Sequence, residues 1–256
     1  IIYKGADPDF ILSTHKVLAE LLRPYKPLKQ MLKCAEHFAK SQQYSKSFRL
    51  YVRCFNLQIK DSKQEEIFKL MSIITELVET ANINGNSIEY GLWLNLKMKT
   101  ANLQQNWEQY NSLKNELHGL LQLHSWPTVN LLDHVLQGWR LLHQGKLSDA
   151  VSVFNEGLDI KIPLDDPLSK LTQNGLRRCY MGLFDCYSHM DDIEELGRTL
   201  HGARPFFSQT EEQDHFLSYL HRGSFFYRRC SNFNKAEQLE QQALRIANDS
   251  GLIRHI

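Results

Sequence analysis

Hydrophobic residues recur along almost the whole chain with the three-to-four-residue spacing of amphipathic helices. Alternation with a period of two, bounded by hairpin turns, is absent, so the pattern gives no indication of strands. Turn-forming and helix-breaking residues interrupt the periodicity every 15 to 20 residues or so, roughly the length of one helix and its turn. We therefore predict an all-α protein of about 12 helices, over 9–23, 28–41, 44–59, 64–82, 87–101, 104–123, 129–143, 147–160, 169–189, 192–203, 212–230 and 233–249.

The segment from Gly138 to Gly157 indicates how neighbouring helices pack. Gly138 would let a partner helix approach closely, and Leu141 would fill the space one turn later. Gly145 would end the first helix. The second helix then supplies a facing stripe of small and large residues, namely Ala150, Phe154 and Gly157. This order predicts a pair of antiparallel helices.

The same order of small, large and turn residues returns in other parts of the chain. Two fair copies and one weaker copy are present: Ala35, Phe38, Gln42, Ser47, Tyr51 and Cys54; Ser224, Tyr227, Ser231, Ala236 and Ala243; and Phe184, Tyr187, Asp191, Leu196, Leu200 and Ala203. The order resembles the tetratricopeptide repeat (TPR). The resemblance implies a right-handed superhelix, or solenoid, of antiparallel helix pairs that binds a partner on its concave surface.

A second resemblance concerns the length of the repeats. The separation between copies exceeds the 34-residue unit of the ordinary repeat. Long, irregular repeats of this kind are similar to the sensor regions of large LuxR-type bacterial transcription regulators such as the maltose regulator. That resemblance implies a regulatory, ligand-sensing role in transcription regulation.

The pairing of helices between residues 60 and 128 is left open. One helix too many lies between the pair at 28–59 and the pair at 129–160, so either one helix is unpaired or two are fused. We expect a single helical-repeat domain over 1–256. Because the chain begins at Ile1 without methionine and ends without a helix stop, we also expect a segment of a larger protein.

Composition narrows the classes of partner and the compartment. Thirty lysines and arginines against 29 acidic residues leave a formal charge of +1, without the basic excess that phosphate backbones attract, so we expect no direct nucleic-acid binding. No run reaches the roughly 20 apolar residues that a membrane span needs. The five cysteines are widely spread and form no C-x-x-C pair, which indicates a reducing cytoplasm.

One segment of the sequence resembles an enzyme motif because it holds several carboxylates close together: Asp191-Asp192-Ile193-Glu194-Glu195, the acidic string. Asp191, Asp192 and Glu195 would have to bridge Mg²⁺ to a diphosphate in an all-α enzyme of the prenyl-transfer type. The favoured interpretation is structural: Asp191 is an N-cap, and Glu194 closes a capping box. Nucleophile elbows, phosphate-binding glycine loops and dinucleotide fingerprints are absent, so we expect no catalytic residues and no cofactor.

A soft metal site is a further hypothesis, because Cys179, Cys186 and His189 share one face of a predicted helix. A structural zinc site needs four ligands, usually from two close-set pairs, and no second pair is apparent. We expect the cysteines to be buried apolar residues and assign no metal.

The TPR resemblance also implies which residues line the concave groove, since the first helix of each pair faces it. Helical phase around each crossing residue then gives the candidate binding set, which combines aromatic rings, histidines and arginines: Trp139, His143, Arg178, His189, His221, Phe225, Arg228 and Arg229. Such a surface suits an extended peptide or a small anionic ligand. The alternative is that Trp139 and Phe225 belong to the core and the arginines are merely solvated.

The hypothesis that follows is a non-catalytic protein-interaction or ligand-sensing scaffold with a regulatory role in the cytoplasm. Two alternatives stay open: the prenyl-transfer enzyme, and a structural subunit that assembles with copies of itself. The oligomeric state is not predicted.

Overall fold

The computed structural model of this protein describes residues 8–22, 27–60, 64–208 and 213–250. Within these ranges the regular secondary structure consists of twelve α-helices: α1 (Pro8–Leu22), α2 (Leu28–Lys40), α3 (Tyr44–Lys60), α4 (Gln64–Thr80), α5 (Ile88–Leu103), α6 (Trp107–Leu123), α7 (Pro127–His143), α8 (Leu147–Leu158), α9 (Ser169–Met190), α10 (Ile193–Ser208), α11 (Gln213–Arg229) and α12 (Phe233–Ser250). The all-α prediction is confirmed. The predicted helix ends at 23 and 212 lie outside the described residues.

One predicted boundary is wrong by five residues. The helix predicted to end at 203, before Pro205, continues through that proline to Ser208. Proline removes one backbone donor from the last turn of the helix. Phe207, which is 2% exposed and stacks on Tyr219 at 5.4 Å between ring centroids, secures that turn by packing. Tertiary contacts therefore outweigh the local helix-breaking tendency.

One turn geometry recurs where helices reverse direction. Its central residue is left-handed, with φ between 56° and 74°, at Gln42, Gln105, Gly145, Asp191 and Ser231. In each case the next residue donates its N–H to the carbonyl five positions earlier at 2.8–3.0 Å, which satisfies an end carbonyl of the first helix. The carbonyl of that same residue then accepts the first bond of the following helix.

Because one residue closes one helix and opens the next, the two helices pack as antiparallel neighbours. Four of these five left-handed residues occupy the turn position of the repeat copies found in the sequence. The fifth, Gln105, lies outside those copies.

Gln105 also settles the open question of helix pairing. It joins α5 and α6 as a tight pair, so α4 is the unpaired helix. α4 ends in a similar turn at Asn82, but α5 starts only at Ile88, after an N-cap in which Ser87 accepts from the N–H of Tyr90. α4 packs on both α3 and α5.

The chain divides into two compact units, Ile1–Val129 (unit 1) and Asn130–Ile256 (unit 2). In unit 1, α5 is buried on nearly every side because α3, α4 and α6 pack around it. Unit 2 consists of the successive pairs α7/α8, α9/α10 and α11/α12. The single domain and the right-handed superhelix stay predictions.

Phe154 on α8 organises the core of unit 2. Its ring lies against Gly138 on α7 and Gly182 on α9, so that a Cβ on either glycine would overlap it. Gly157 likewise lies against Cys179 of α9. The predicted close crossing at Gly138 is confirmed, and α7 and α9 are both held by the helix between them in sequence.

Among the described helices, none has both the length and the apolar character that crossing a bilayer requires.

Candidate binding face of unit 2

The predicted binding residues lie on the first helix of each pair in unit 2. α7 carries Trp139 and His143, α9 carries Arg178 and His189, and α11 carries the remaining four, His221, Phe225, Arg228 and Arg229. Side-chain contacts connect α7 to α9 and α9 to α11, so these helices lie side by side. The contacts place seven of the eight residues in three groups, and His189 lies outside them.

The first group joins α7 to α9. The guanidinium carbon of Arg178 lies 6.0 Å from the centroid of the Trp139 ring, within cation–π range. The Trp139 ring packs edge-on against Phe154, with centroids 6.1 Å apart, and its Nε1 is buried without a hydrogen-bond partner. His143 is exposed, with its ring 6.0 Å from that of Trp139.

Arg178 itself has no ion pair with any described residue. Its side chain stays partly accessible, while burial lowers the pKa of the guanidinium from its ordinary value. Arginine is nevertheless a cation at neutral pH. The α7–α9 face thus holds two unmatched donors, the guanidinium of Arg178 and the indole N–H of Trp139.

The second group joins α9 to α11. Phe225 is 40% exposed, so it is not sealed in the core, and its ring meets Phe184 edge-on with centroids 6.2 Å apart. The guanidinium of Arg229 lies 5.9 Å from the Phe225 ring and pairs with the carboxylate of Asp191. Arg229 therefore already has an anionic partner.

Arg222, which sequence reasoning missed, strengthens the same junction. Its Nη2 donates to both carboxylate oxygens of Asp185, at 3.0 and 3.3 Å, and its guanidinium lies 5.6 Å from the Phe184 ring. Asp185 follows Phe184, the first residue of the weaker repeat copy, and helical phase places it on the groove side of α9. Its carboxylate was a signal in the sequence that a cation would face it.

The third group joins α11 to α12. Arg228 Nη2 donates to Glu240 Oε1 at 2.5 Å, and Ser224 donates to the same oxygen at 2.7 Å. The hydrogen bond from Ser224, followed by that from Arg228, lowers the pKa of Glu240, and the nearby His221 acts in the same direction. Arg228 and Arg229 thus point to different helices, although they are adjacent in sequence.

His189 belongs to none of these groups. It is exposed in the last turn of α9, whereas Cys179 and Cys186 on the same helix are fully buried. Burial raises the pKa of Cys179 to about 12 and that of Cys186 to about 11, so both thiols are neutral at pH 7. Over the described part of the chain, no group of three or more His, Cys, Asp or Glu side chains could hold a metal ion.

The acidic string requires a correction. Asp192, and not Asp191, caps α10, because Asp192 Oδ1 accepts the N–H of Glu195 at 3.1 Å. Asp191 is the left-handed residue in the turn that follows α9. The N-cap of α10 therefore lies one residue later than the sequence analysis predicted. Glu194 does not close a capping box; it pairs with Arg198, as does Glu195.

No protein-family model, curated protein or solved structure matches this chain.

Proposed function

We propose that this chain is a non-catalytic, TPR-like binding scaffold with a regulatory role in the cytoplasm. Its α7–α9 face would hold an anionic group of a peptide or small ligand between Arg178 and Trp139. One observation carries the proposal: the guanidinium of Arg178 has no ion pair with any described residue, beside a buried indole N–H without an acceptor.

An anion at this position would satisfy both donors. A partly desolvated cation gains more from an ionic partner than an exposed one does, because surrounding protein lowers the local dielectric. A hydrogen bond to a charged group contributes about 1.5–3 kcal/mol. The indole N–H, which can only donate, would add a second bond to the same acceptor group.

The other candidate cations are less available. Arg229 pairs with Asp191, and Arg228 pairs with Glu240. A ligand anion would have to displace these carboxylates before it gained a contact. The proposed site therefore centres on Arg178, with exposed His143 at its edge.

The structural roles of the acidic string favour binding over prenyl transfer. Asp191 pairs with Arg229, Asp192 caps α10, and Glu195 pairs with Arg198. Each carboxylate of that alternative thus has an intramolecular partner.

The test is a fluorescence-anisotropy titration with two labelled peptide pools of equal length, one rich in Asp, Glu and phosphoserine and one uncharged. We expect saturable binding of the acidic pool, weakened at least tenfold by Arg178→Gln, since tenfold corresponds to about 1.4 kcal/mol. The matched control is Arg198→Gln, an exposed arginine already paired with Glu194. It should leave the affinity unchanged.

Two further variants locate the site. Trp139→Phe keeps a ring but removes the N–H donor, so we expect a smaller loss of affinity than from Arg178→Gln. Arg228→Ala with Arg229→Ala should also cost less. Equal binding by wild type and Arg178→Gln, or equal binding of the uncharged pool, would contradict the proposal.

A further inference from the structure

An open cleft in the described part of unit 1 lies between α4 and α5. Its volume is approximately 410 Å³, within the range of small-ligand sites. Phe68 and Met71 contribute apolar side chains to its lining, and Thr75 and Thr100 contribute hydroxyl-bearing ones. The cleft is thus apolar in one part and able to form hydrogen bonds in another.

The lining carries negative charge without a matching cation. Glu76 and Glu79 both line the cleft, and no lysine, arginine or histidine does. Residues three positions apart on a helix have Cβ atoms about 5–6 Å apart, so the two carboxylates can reach one common group. Neither glutamate forms an ion pair with another described residue, and both are exposed.

A neighbouring contact within the chain involves an ammonium group and an aromatic ring. The indole N–H of Trp93 donates to Thr75 Oγ1 at 3.3 Å, which places the Trp93 ring beside the cleft wall. The ammonium of Lys97 lies 4.3 Å from the centroid of that ring. The chain itself therefore places an alkylammonium group on the aromatic surface next to the cleft.

We propose that this cleft binds an ammonium or guanidinium group on an aliphatic stem. The cation would lie between Glu76 and Glu79, while the stem covers the apolar surface of Phe68 and Met71, as long basic side chains do. A free aliphatic amine and the lysine or arginine side chain of a peptide share this chemistry. The site lies wholly in unit 1 and does not depend on the function proposed for unit 2.

The test is an NMR titration of the full chain labelled with ¹⁵N at the tryptophan indoles. The probes are n-butylammonium chloride and the tripeptide amide acetyl-Gly-Lys-Gly, each compared with sodium chloride at equal ionic strength. We expect the Trp93 indole signal to shift saturably with at least one probe. Glu76→Gln combined with Glu79→Gln should weaken this binding at least tenfold, whereas Glu65→Gln, an exposed residue of α4 outside the cleft lining, should not.

The two probes distinguish the sources. Tighter binding of the tripeptide assigns the site to a basic peptide, and tighter binding of butylammonium assigns it to a free amine. Equal thermal midpoints of wild type and variants exclude unfolding as the cause of lost binding. Absence of a saturable shift with both probes, an equal shift with sodium chloride, or unchanged binding by the double variant would overturn the proposal.

Discussion

The ring of Phe154 lies in the space that a side chain on Gly182 would occupy. The same ring lies 2.5–2.7 Å from the position of a Cβ on Gly138. Because α7 and α9 both contact this ring, it has little room to move away from an added methyl group.

We therefore expect Gly182→Ala to lower the free energy of unfolding by about 1–3 kcal/mol, the usual cost of overpacking. Gly119→Ala is the control, since a Cβ on this helical glycine of α6 meets nothing within 4 Å. Alanine is the better helix former, so the control should be neutral or stabilising by up to about 1 kcal/mol. Urea denaturation measures both, and equal midpoints would contradict the wedged arrangement.

Substitutions at Gly145 test the backbone conformation of the turn, because side-chain packing does not contribute there. Its φ is +74°, and a Cβ there meets nothing within 4 Å. Gly145→Ala should therefore cost about 1–2 kcal/mol through left-handed strain alone. Gly145→Asn should cost less, because asparagine tolerates this conformation better. If both variants unfold at the wild-type urea concentration, the left-handed turn is wrong.

A partly buried ion pair of an arginine in unit 2 should contribute more to the stability of the protein than an exposed one does. The side chains of Arg222 and Asp185 are 23% and 31% exposed, against 65% and 76% for Arg198 and Glu194. We expect Arg222→Ala to cost about 1–3 kcal/mol, as for a hydrogen bond to a charged group. Arg198→Ala should cost at most about 0.5 kcal/mol. Thermal unfolding of the two variants measures this difference. A midpoint that falls as much in Arg198→Ala as in Arg222→Ala would contradict the prediction.

Stability should also depend on pH through a pair of histidines in unit 1. The Nδ1 atoms of His15 on α1 and His37 on α2 lie 2.8 Å apart, so one ring donates and the other accepts. Burial, followed by the proximity of His15, lowers the pKa of His37 from 6.5. The folded state therefore binds this proton less readily than the unfolded state does.

The stabilisation is present above pH 6.5 and is lost as the pH falls below that value through the lowered folded pKa. One proton limits the slope to about 1.4 kcal/mol per pH unit. Urea denaturation at about pH 7.5 and about pH 5 measures this loss. The free energy of unfolding should fall in wild type, and it should fall less in His37→Asn. His118→Gln, at an exposed position of α6, should behave as wild type does.

Local chemistry determined much of the fold from the sequence alone. The helices follow from hydrophobic periodicity, and the turns at Gln42, Gly145, Asp191 and Ser231 occupy the positions that the sequence copies predict. Each such turn is closed by a hydrogen bond over five residues, so a short stretch of sequence contains all its determinants. The tight crossing at Gly138 was predictable for the same reason.

Tertiary structure alone decided which charges are available. Arg222 meets Asp185 across 37 residues, and Arg229 meets Asp191 across 38, whereas Arg178 meets the ring of Trp139 and no carboxylate. Helical phase predicts which side of a helix a residue occupies, but ion pairing depends on the side chain that a distant helix presents there. For that reason the sequence identified a set of arginines, and only packing separated the unpaired guanidinium from the paired ones.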